Sequence, residues 1–318
     1  MKEIGGFIEL ERYTGPMLHG DGILLDSGRS CLKYLLYARQ IREILLPELI
    51  CDSVINACAE CGTHVVFYPV DERMRPLIPD GKDDAYIYLV NYYGLIKRDE
   101  LLMYRRRFPH MILDNAQDYF AEPLPDTDTL YTCRKYLGVP DGGILYTDAR
   151  YGETLERSCS YENMLHLTGR LERGASEFYR QSVDNNRRLA GRPPYRMSVL
   201  TENLLHSIDY DRVRDRRTEN YACLHERLGA MNLLSVNEVT GAFAYPLMLE
   251  NAEKLRAGLI AGKIFVPLLW PNTADPKNSA STAYRLSAKV LPLPCDQRYG
   301  PEDMETICRM INELIGKE

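Results

Sequence analysis

Lys135 could do covalent chemistry, because it lies between a predicted strand and a glycine turn. The sequence around it, residues 130–143, reads L-Y-T-C-R-K-Y-L-G-V-P-D-G-G. Burial beside a cation such as Arg134 would lower the pKa of the lysine amine, and a neutral amine can attack an aldehyde. The alternative is an ordinary solvated lysine on the surface.

Asp114 carries a second reactive group. It ends the apolar run M-I-L-D at residues 111–114 and is followed three residues later by Gln117. Because open α/β sheets bind ligands at the carboxyl ends of their strands, this carboxylate would lie at the ligand-binding edge. The alternative is that Asp114 caps a following helix.

The segment D-S-G-R-S at residues 26–30 could bind an anion. It follows an apolar strand and precedes a helical pattern, and the first turn of a helix offers free N–H groups and the positive end of the dipole. Ser27, Arg29 and Ser30 could add side-chain contacts to a phosphate around the turn residue Gly28. Simple capping of the helix is the alternative.

These three segments together supply what pyridoxal phosphate (PLP) requires of a protein. The cofactor needs an amine for its aldehyde, a carboxylate for its ring nitrogen and an anion site for its phosphate. Lys135, Asp114 and the turn at residues 26–30 match these needs one by one.

The elements that would position these residues alternate between strands and helices. Apolar runs predict strands at residues 23–25, 43–46, 63–68, 85–91, 111–114, 129–132 and 144–147, and helical periodicity predicts helices at 29–39, 52–61 and 98–107. This alternation predicts an α/β fold with a mainly parallel sheet.

The second half of the chain predicts a smaller α+β unit. Residues 197–228 fit one long helix or a broken pair, and further strands are predicted at 241–249 and 263–267, with helices at 251–261 and from Pro301. We therefore predict a large domain at residues 1–195 and a small domain at 196–318.

Composition and charge argue against several classes of partner. The net charge of −6 offers no basic field for nucleic acid. No apolar run approaches the roughly 20 residues of a membrane helix, and the N-terminus lacks the apolar core of a signal peptide, so we expect a cytoplasmic protein. The nine cysteines fit reduced thiols. Cys58 and Cys61 form a C-x-x-C in a predicted helix, where packing competes with zinc or redox chemistry, and we predict no metal.

The order of the three segments resembles the DegT/DnrJ/StrS sugar aminotransferases, which are PLP enzymes of fold type I. Members of that family carry a turn S-G-T-x-A-L, a strand end E-D-x-A-Q and a lysine ahead of G-E-G-G. The matching stretches here are S-G-R-S at 27–30, D-N-A-Q at 114–117 and the lysine ahead of D-G-G at 141–143. Matches at Y-G (93–94), Y-R-M-S (195–198) and G-P-E-D (300–303) extend the resemblance over most of the chain.

The resemblance implies phosphate contacts from two places. Ser27 and Gly28 fall on the phosphate turn, where Arg29 replaces the threonine of the family and Ser30 follows. Thr132 lies near a serine that helps to bind the phosphate. We expect Arg29 to take over part of the phosphate binding, because a guanidinium can form paired, charge-assisted hydrogen bonds.

The resemblance also implies the contacts of the cofactor ring. Asp114 falls on the partner of the ring nitrogen and Gln117 on the contact to the ring hydroxyl. Lys135 falls on the lysine that binds the aldehyde covalently. Lys135 and Asp114 are therefore the predicted catalytic residues.

Besides Arg29, three positions depart from the family pattern. The aromatic residue that stacks on the ring aligns with Cys51, so the stack is lost or comes from Tyr92 or Tyr93. The histidine of the family's V-H-L-Y-G is Asn91, and the asparagine that reaches the phosphate across the dimer is Pro194. Losing the stack and that donor would weaken cofactor binding by about a few kcal/mol.

The activity that the resemblance implies is transfer of an amino group from glutamate to a keto sugar. The sugar would be nucleotide-linked, in surface polysaccharide or secondary metabolite biosynthesis, and the enzyme would be a homodimer. A relative with the same fold and lost or altered chemistry is the alternative. A nucleotide-binding dehydrogenase is disfavoured, because no G-x-G-x-x-G follows the first strand.

Overall fold

A seven-stranded sheet dominates the computed structural model, which describes residues 4–316. Its spatial order is β1-β7-β6-β5-β4-β2-β3. In chain order the strands are β1 (Ile23–Leu25), β2 (Glu43–Pro47), β3 (His64–Tyr68), β4 (Ile87–Val90), β5 (Met111–Asp114), β6 (Asp128–Thr132) and β7 (Gly143–Tyr146). Each strand overlaps the segment that its apolar run predicts.

The direction of the strands confirms a mainly parallel α/β sheet. Strands β2 to β6 pair in parallel, and β7 runs antiparallel to both of its neighbours, so β1 points the same way as β6. Every residue of β4 and β5 is buried. Strands covered by helices on both faces require such continuous apolar runs.

This common direction brings the predicted site residues to one edge of the sheet. The carboxyl end of β1 leads to Asp26, that of β4 to Asn91, that of β5 to Asp114 and that of β6 to Thr132. Cys51 follows the end of β2 as the residue before a helix. A parallel sheet therefore gathers segments that are far apart in sequence.

Ten helices cover and extend the sheet within residues 4–316. They are α1 (Gly28–Ala38), α2 (Asp52–Glu60), α3 (Arg98–Arg107), α4 (Leu165–Glu172), α5 (Tyr179–Arg188), α6 (Val199–Leu205), α7 (Tyr210–Leu228), α8 (Ala252–Ala261), α9 (Thr282–Lys289) and α10 (Pro301–Ile315). The segment predicted as a long helix or a broken pair is a pair, α6 and α7. Asp209 separates the two helices and caps α7, because its side chain accepts from Arg212 N.

A second, two-stranded sheet lies in the C-terminal part of the chain. Strand β8 (Tyr245–Met248) pairs antiparallel with β9 (Val290–Leu293), and Pro246 lies opposite Pro292. Both strands are edges, so each proline can turn its missing N–H away from the partner strand. Pro292 is also why the sequence did not indicate β9.

The strand predicted at residues 263–267 is wrong. Lys263 adopts a left-handed conformation with φ 65°, and Ile264 N donates to Leu259 O in a turn that ends α8. The following residues pair with no strand among residues 4–316. The left-handed turn at Lys263 keeps the apolar run close to the end of α8, and an apolar run alone does not make a strand without a paired neighbour.

The proposed domain boundary lies where the chain returns to the first sheet. Asp26 N donates to Tyr195 O, and Met197 N donates to Leu24 O, so residues 195–197 pair with the end of β1. Division into domains at 1–195 and 196–318 stays a prediction. In the described part of the chain no helix is long and apolar enough to cross a membrane.

Candidate active site

The turn at the start of α1 leaves room and donors for an anion. Ser27 caps the helix, since its hydroxyl accepts from Ser30 N at 3.2 Å. The N–H groups of Gly28 and Arg29 find no acceptor within residues 4–316, as is usual in the first helical turn. A Cβ on Gly28 would meet no atom within 4 Å, so the space in front of the turn is open.

A buried carboxylate, Asp26, lies directly beneath this turn. Its Oδ1 accepts from Ser27 Oγ at 3.0 Å and from Ser30 Oγ at 2.5 Å, and its Oδ2 pairs with Arg192. Burial raises the pKa of Asp26, while these hydrogen bonds and Arg192 lower it. The two serine protons thus point to Asp26. An anion in front of the turn would meet backbone N–H groups instead.

Asp114 is held at the end of β5 with 7% of its surface exposed. Its Oδ2 accepts from Tyr88 Oη at 2.8 Å, and its Oδ1 accepts from Ala116 N at 2.7 Å. No helix follows residue 114 directly, so capping of a following helix is ruled out as its role. Burial raises the pKa of Asp114, and the positive charge of Lys135 opposes that rise.

Lys135 ends a short helical turn, Cys133–Lys135, directly after β6. Its side chain is exposed, with Nζ at 5.5 Å from the centre of the Phe243 ring. The sequence predicted that Lys135 would be buried beside Arg134, and it is not. Arg134 donates to Asn186 Oδ1 at 2.8 Å. The amine is accessible and acts electrostatically on Asp114. Thr132 donates to Gly142 O at 3.5 Å, which joins the lysine segment to the glycine turn.

Gln117 is tied to the turn after β4. Its Oε1 accepts from Tyr93 N at 2.8 Å, and Tyr93 has φ 54°. Both Tyr92 and Tyr93 are buried, with their rings against Trp270 at centroid distances of 5.6 and 6.2 Å. Ring stacking by either tyrosine on a cofactor stays a prediction.

Two further predicted positions lie beside this turn. Cys51 precedes α2 and is partly buried, with Sγ at 2.9 Å from Ser53 Oγ. Asn91 is buried and donates through Nδ2 to Asp118 Oδ2 at 2.9 Å, while its Oδ1 accepts from Ile96 N. Burial raises the pKa of Asp118 to about 7. The Asn91 side chain therefore points into the protein, where it bonds the loop after β4 to Asp118.

Several residues in and around the site carried no sequence signal. Tyr88 bonds the predicted catalytic carboxylate, and Asp26 and Arg192 form the ion pair beneath the turn. Asn186 receives hydrogen bonds from both Arg29 and Arg134. Arg29 and Asp26 were visible in the sequence, but their partners Asn186 and Arg192 lie more than 150 residues away. No group of three or more metal-binding side chains occurs in the described residues.

The fold is that of the fold-type-I sugar aminotransferases. DesV from S. venezuelae matches with a TM-score of 0.65 and 18% identity, covering 95% of this chain and 90% of that one. A DegT/DnrJ/EryC1/StrS aminotransferase from Brucella abortus matches with a TM-score of 0.57 and 17% identity, covering 92% and 85%. NtdA from Bacillus subtilis, with bound PMP, matches with a TM-score of 0.65 and 12% identity, covering 96% and 78%.

The likeness to these proteins is structural. No family model and no curated protein matches the sequence. At identities this low the superposition establishes the fold. The chemistry depends on the residues that this chain itself brings to the site.

Proposed function

We propose that the chain is a PLP-dependent aminotransferase that moves an amino group from glutamate to a nucleotide-linked keto sugar. The observation that carries the proposal is that buried Asp114 and the exposed amine of Lys135 follow neighbouring parallel strands, β5 and β6, at one edge of the sheet, where the charge of Lys135 acts on Asp114. The open turn at Gly28 lies at the same edge. The fold shared with sugar aminotransferases supports this choice of reaction.

The residues present fit PLP at its phosphate and at its ring nitrogen. The open space and free N–H groups at Gly28 and Arg29 suit the phosphate. The Asp114 carboxylate, fixed by Tyr88 and Ala116 N, suits the ring nitrogen. When bound, PLP supplies an electron sink for the negative charge that forms on the substrate carbon.

Asp114 would keep the ring nitrogen protonated. Its two oxygens already accept one hydrogen bond each, so the carboxylate cannot rotate freely. A carboxylate oxygen has a second lone pair for the ring N–H. Gln117, whose oxygen is fixed by Tyr93 N, has its amide donors left to orient the ring hydroxyl.

Lys135 would have two tasks. Its Nζ would bind the aldehyde carbon and, once displaced by an incoming amine, carry the proton between the substrate carbon and the cofactor carbon. The exposed side chain and the Phe243 ring beside it leave the amine free to move over this short path.

The sugar, the amino donor and the assembly belong to the same proposal. A related fold, DesI, has been solved with its TDP-sugar product, which supports a nucleotide-linked substrate here. We also expect a homodimer, as the resemblance to the family implies. We expect sedimentation at micromolar concentration to give a dimer. A stable monomer with full cofactor occupancy would contradict this.

Reduction with borohydride tests the proposed site directly. The purified protein with PLP should absorb visible light, and reduction should fix a pyridoxyl label on the peptide containing Lys135. Lys135→Ala should lose the visible band and the half-reaction with glutamate without losing the fold. Lys97→Ala, which removes another exposed lysine, is the matched control and should keep both.

Two results would overturn this assignment. A label on Lys97, Lys263 or Lys289 would place the site elsewhere. No label at saturating PLP would favour a relative that keeps the fold without the chemistry, a second candidate supported by the carboxylate of Asp26 beneath the phosphate turn and by Cys51 in place of a stacking ring.

A further inference from the structure

Two guanidinium groups converge on one residue, Asn186, beside the first turn of α1. Arg29 Nη2 donates to the backbone oxygen of Asn186 at 3.2 Å, and Arg134 Nη2 donates to its Oδ1 at 2.8 Å. Arg29 belongs to α1, Arg134 to the turn that carries Lys135, and Asn186 to α5. Three segments distant in sequence therefore meet at one residue.

The charges around this point do not balance. The cluster contains four guanidinium groups and two buried carboxylates: Arg29, Arg134, Arg188, Arg192, Asp26 and Asp141. Within residues 4–316 only one ion pair joins them, between Arg192 and Asp26. Asp141 accepts from Ser160 and Ser198 hydroxyls instead. An excess of two positive charges remains.

This excess is costly without a counter-ion. Burial lowers the pKa of Arg134 to about 10, and the like charges of Arg29 and Arg188 act in the same direction. Burial also lowers the pKa of Arg29. The oxygens of Asn186 accept hydrogen bonds but carry no net charge. Asn186 therefore gives the two guanidinium groups hydrogen-bond partners and does not reduce the repulsion between them.

We infer that Arg29 and Arg134 form the two sides of a binding site for a phosphate monoester, closed at its base by the N–H groups of Gly28 and Arg29. Such a group carries about −1.5 to −2 charges near pH 7, which offsets the excess. Asn186 holds the two guanidinium groups apart when no anion is bound. A bound phosphate replaces Asn186 as the acceptor and accepts hydrogen bonds from the guanidinium groups of Arg29 and Arg134.

The proposal deepens the proposed function and rests on it for the source of the phosphate. On that function the monoester belongs to PLP, while a substrate phosphate would have the same chemistry. Arg134 then holds the phosphate from the residue next to Lys135, so one turn supplies both a phosphate contact and the amine for the aldehyde.

Inorganic phosphate tests the site without PLP. In thermal unfolding of the full chain without PLP, the Tm should rise as phosphate is added at an ionic strength held constant with chloride. Arg134→Gln should weaken the apparent phosphate affinity at least tenfold. Arg187→Gln removes an exposed guanidinium from the same helix as Asn186 and should leave the phosphate affinity unchanged.

Asn186→Asp is the sharper variant, because it places a carboxylate of the same shape on Arg134, next to the backbone oxygen that Arg29 contacts. It should raise Tm without phosphate and abolish most of the phosphate effect. The proposal is overturned if Asn186→Asp and Arg134→Gln respond to phosphate as the wild type does, if Arg187→Gln loses the effect equally, or if phosphate does not stabilise the wild type.

Pyridoxal, which lacks the phosphate, identifies the source. Binding measured by quenching of the single tryptophan, Trp270, should be at least tenfold weaker for PLP in Arg134→Gln and unchanged for pyridoxal. Equal PLP affinity in both proteins would overturn the assignment to the cofactor and point to a substrate phosphate. Failure of PLP to bind or label the wild type, with phosphate stabilisation intact, would instead refute the proposed function alone.

Discussion

Replacing Asp118 by asparagine should change how stability depends on pH. The Asp118 carboxyl packs against Gly94, where an added Cβ would lie 3.2 Å from Asp118 Cγ, and it accepts from Asn91 Nδ2 at 2.9 Å. No cation pairs with it among residues 4–316. Burial therefore raises its pKa from 3.8 to about 7, against the smaller effect of the Asn91 hydrogen bond.

The raised pKa fixes the sign of the effect. The unfolded chain loses the Asp118 proton near pH 3.8 and the folded chain near pH 7, so folding binds a proton between these values. Its contribution to stability is complete below pH 3.8 and is lost as pH rises through about 7. A pKa difference of one between the folded and unfolded chains corresponds to about 1.4 kcal/mol, so the wild type should lose about 2–3 kcal/mol relative to Asp118→Asn between pH 5 and pH 8.

Urea denaturation at pH 5, 6, 7 and 8 measures this difference. Asp118→Asn keeps the side-chain shape and an oxygen for Asn91, so the subtraction isolates the charge. Asp114 and Asp26 also have raised pKa values, but both are present in the two proteins. Asp126→Asn, at an exposed carboxylate, is the control. A difference that stays constant across this pH range would refute the assignment of a buried, unpaired carboxylate.

Two further predictions concern packing around the site. Gly143→Ala would place its Cβ 2.4 Å from the backbone carbon of Ser27, so it should displace the α1 turn and lower both Tm and PLP affinity, whereas Gly138→Ala, which meets open space, should change neither. Arg217→Met should lower the free energy of unfolding by about 3 kcal/mol in urea titrations, because it removes the hydrogen bonds of this fully buried guanidinium to Gln297 Oε1, Ala242 O and Tyr136 O. A loss below about 1 kcal/mol would show that water replaces it.

Much of the sheet and the positions of its ends follow from the sequence. Apolar runs predicted β1 and β5 with their observed ends. In β5, burial on both faces leaves no room for polar residues before the strand end. Once the sheet is taken as parallel, Asp114 and the segment before Lys135 must emerge at the same edge. The cofactor was indicated by the resemblance of these ordered segments to those of a known family.

Only the tertiary structure decided what surrounds those residues. The ion pair of Asp26 with Arg192 and the hydrogen bonds of Arg29 to Asn186 each join groups more than 150 residues apart. The periodicity of apolar residues predicts which face of a helix or strand is buried. It does not predict which side chains from distant parts of the sequence lie next to the end of a strand. The exposed position of Lys135 and the absence of a strand at residues 263–267 have the same origin, since both depend on which neighbours the folded chain supplies.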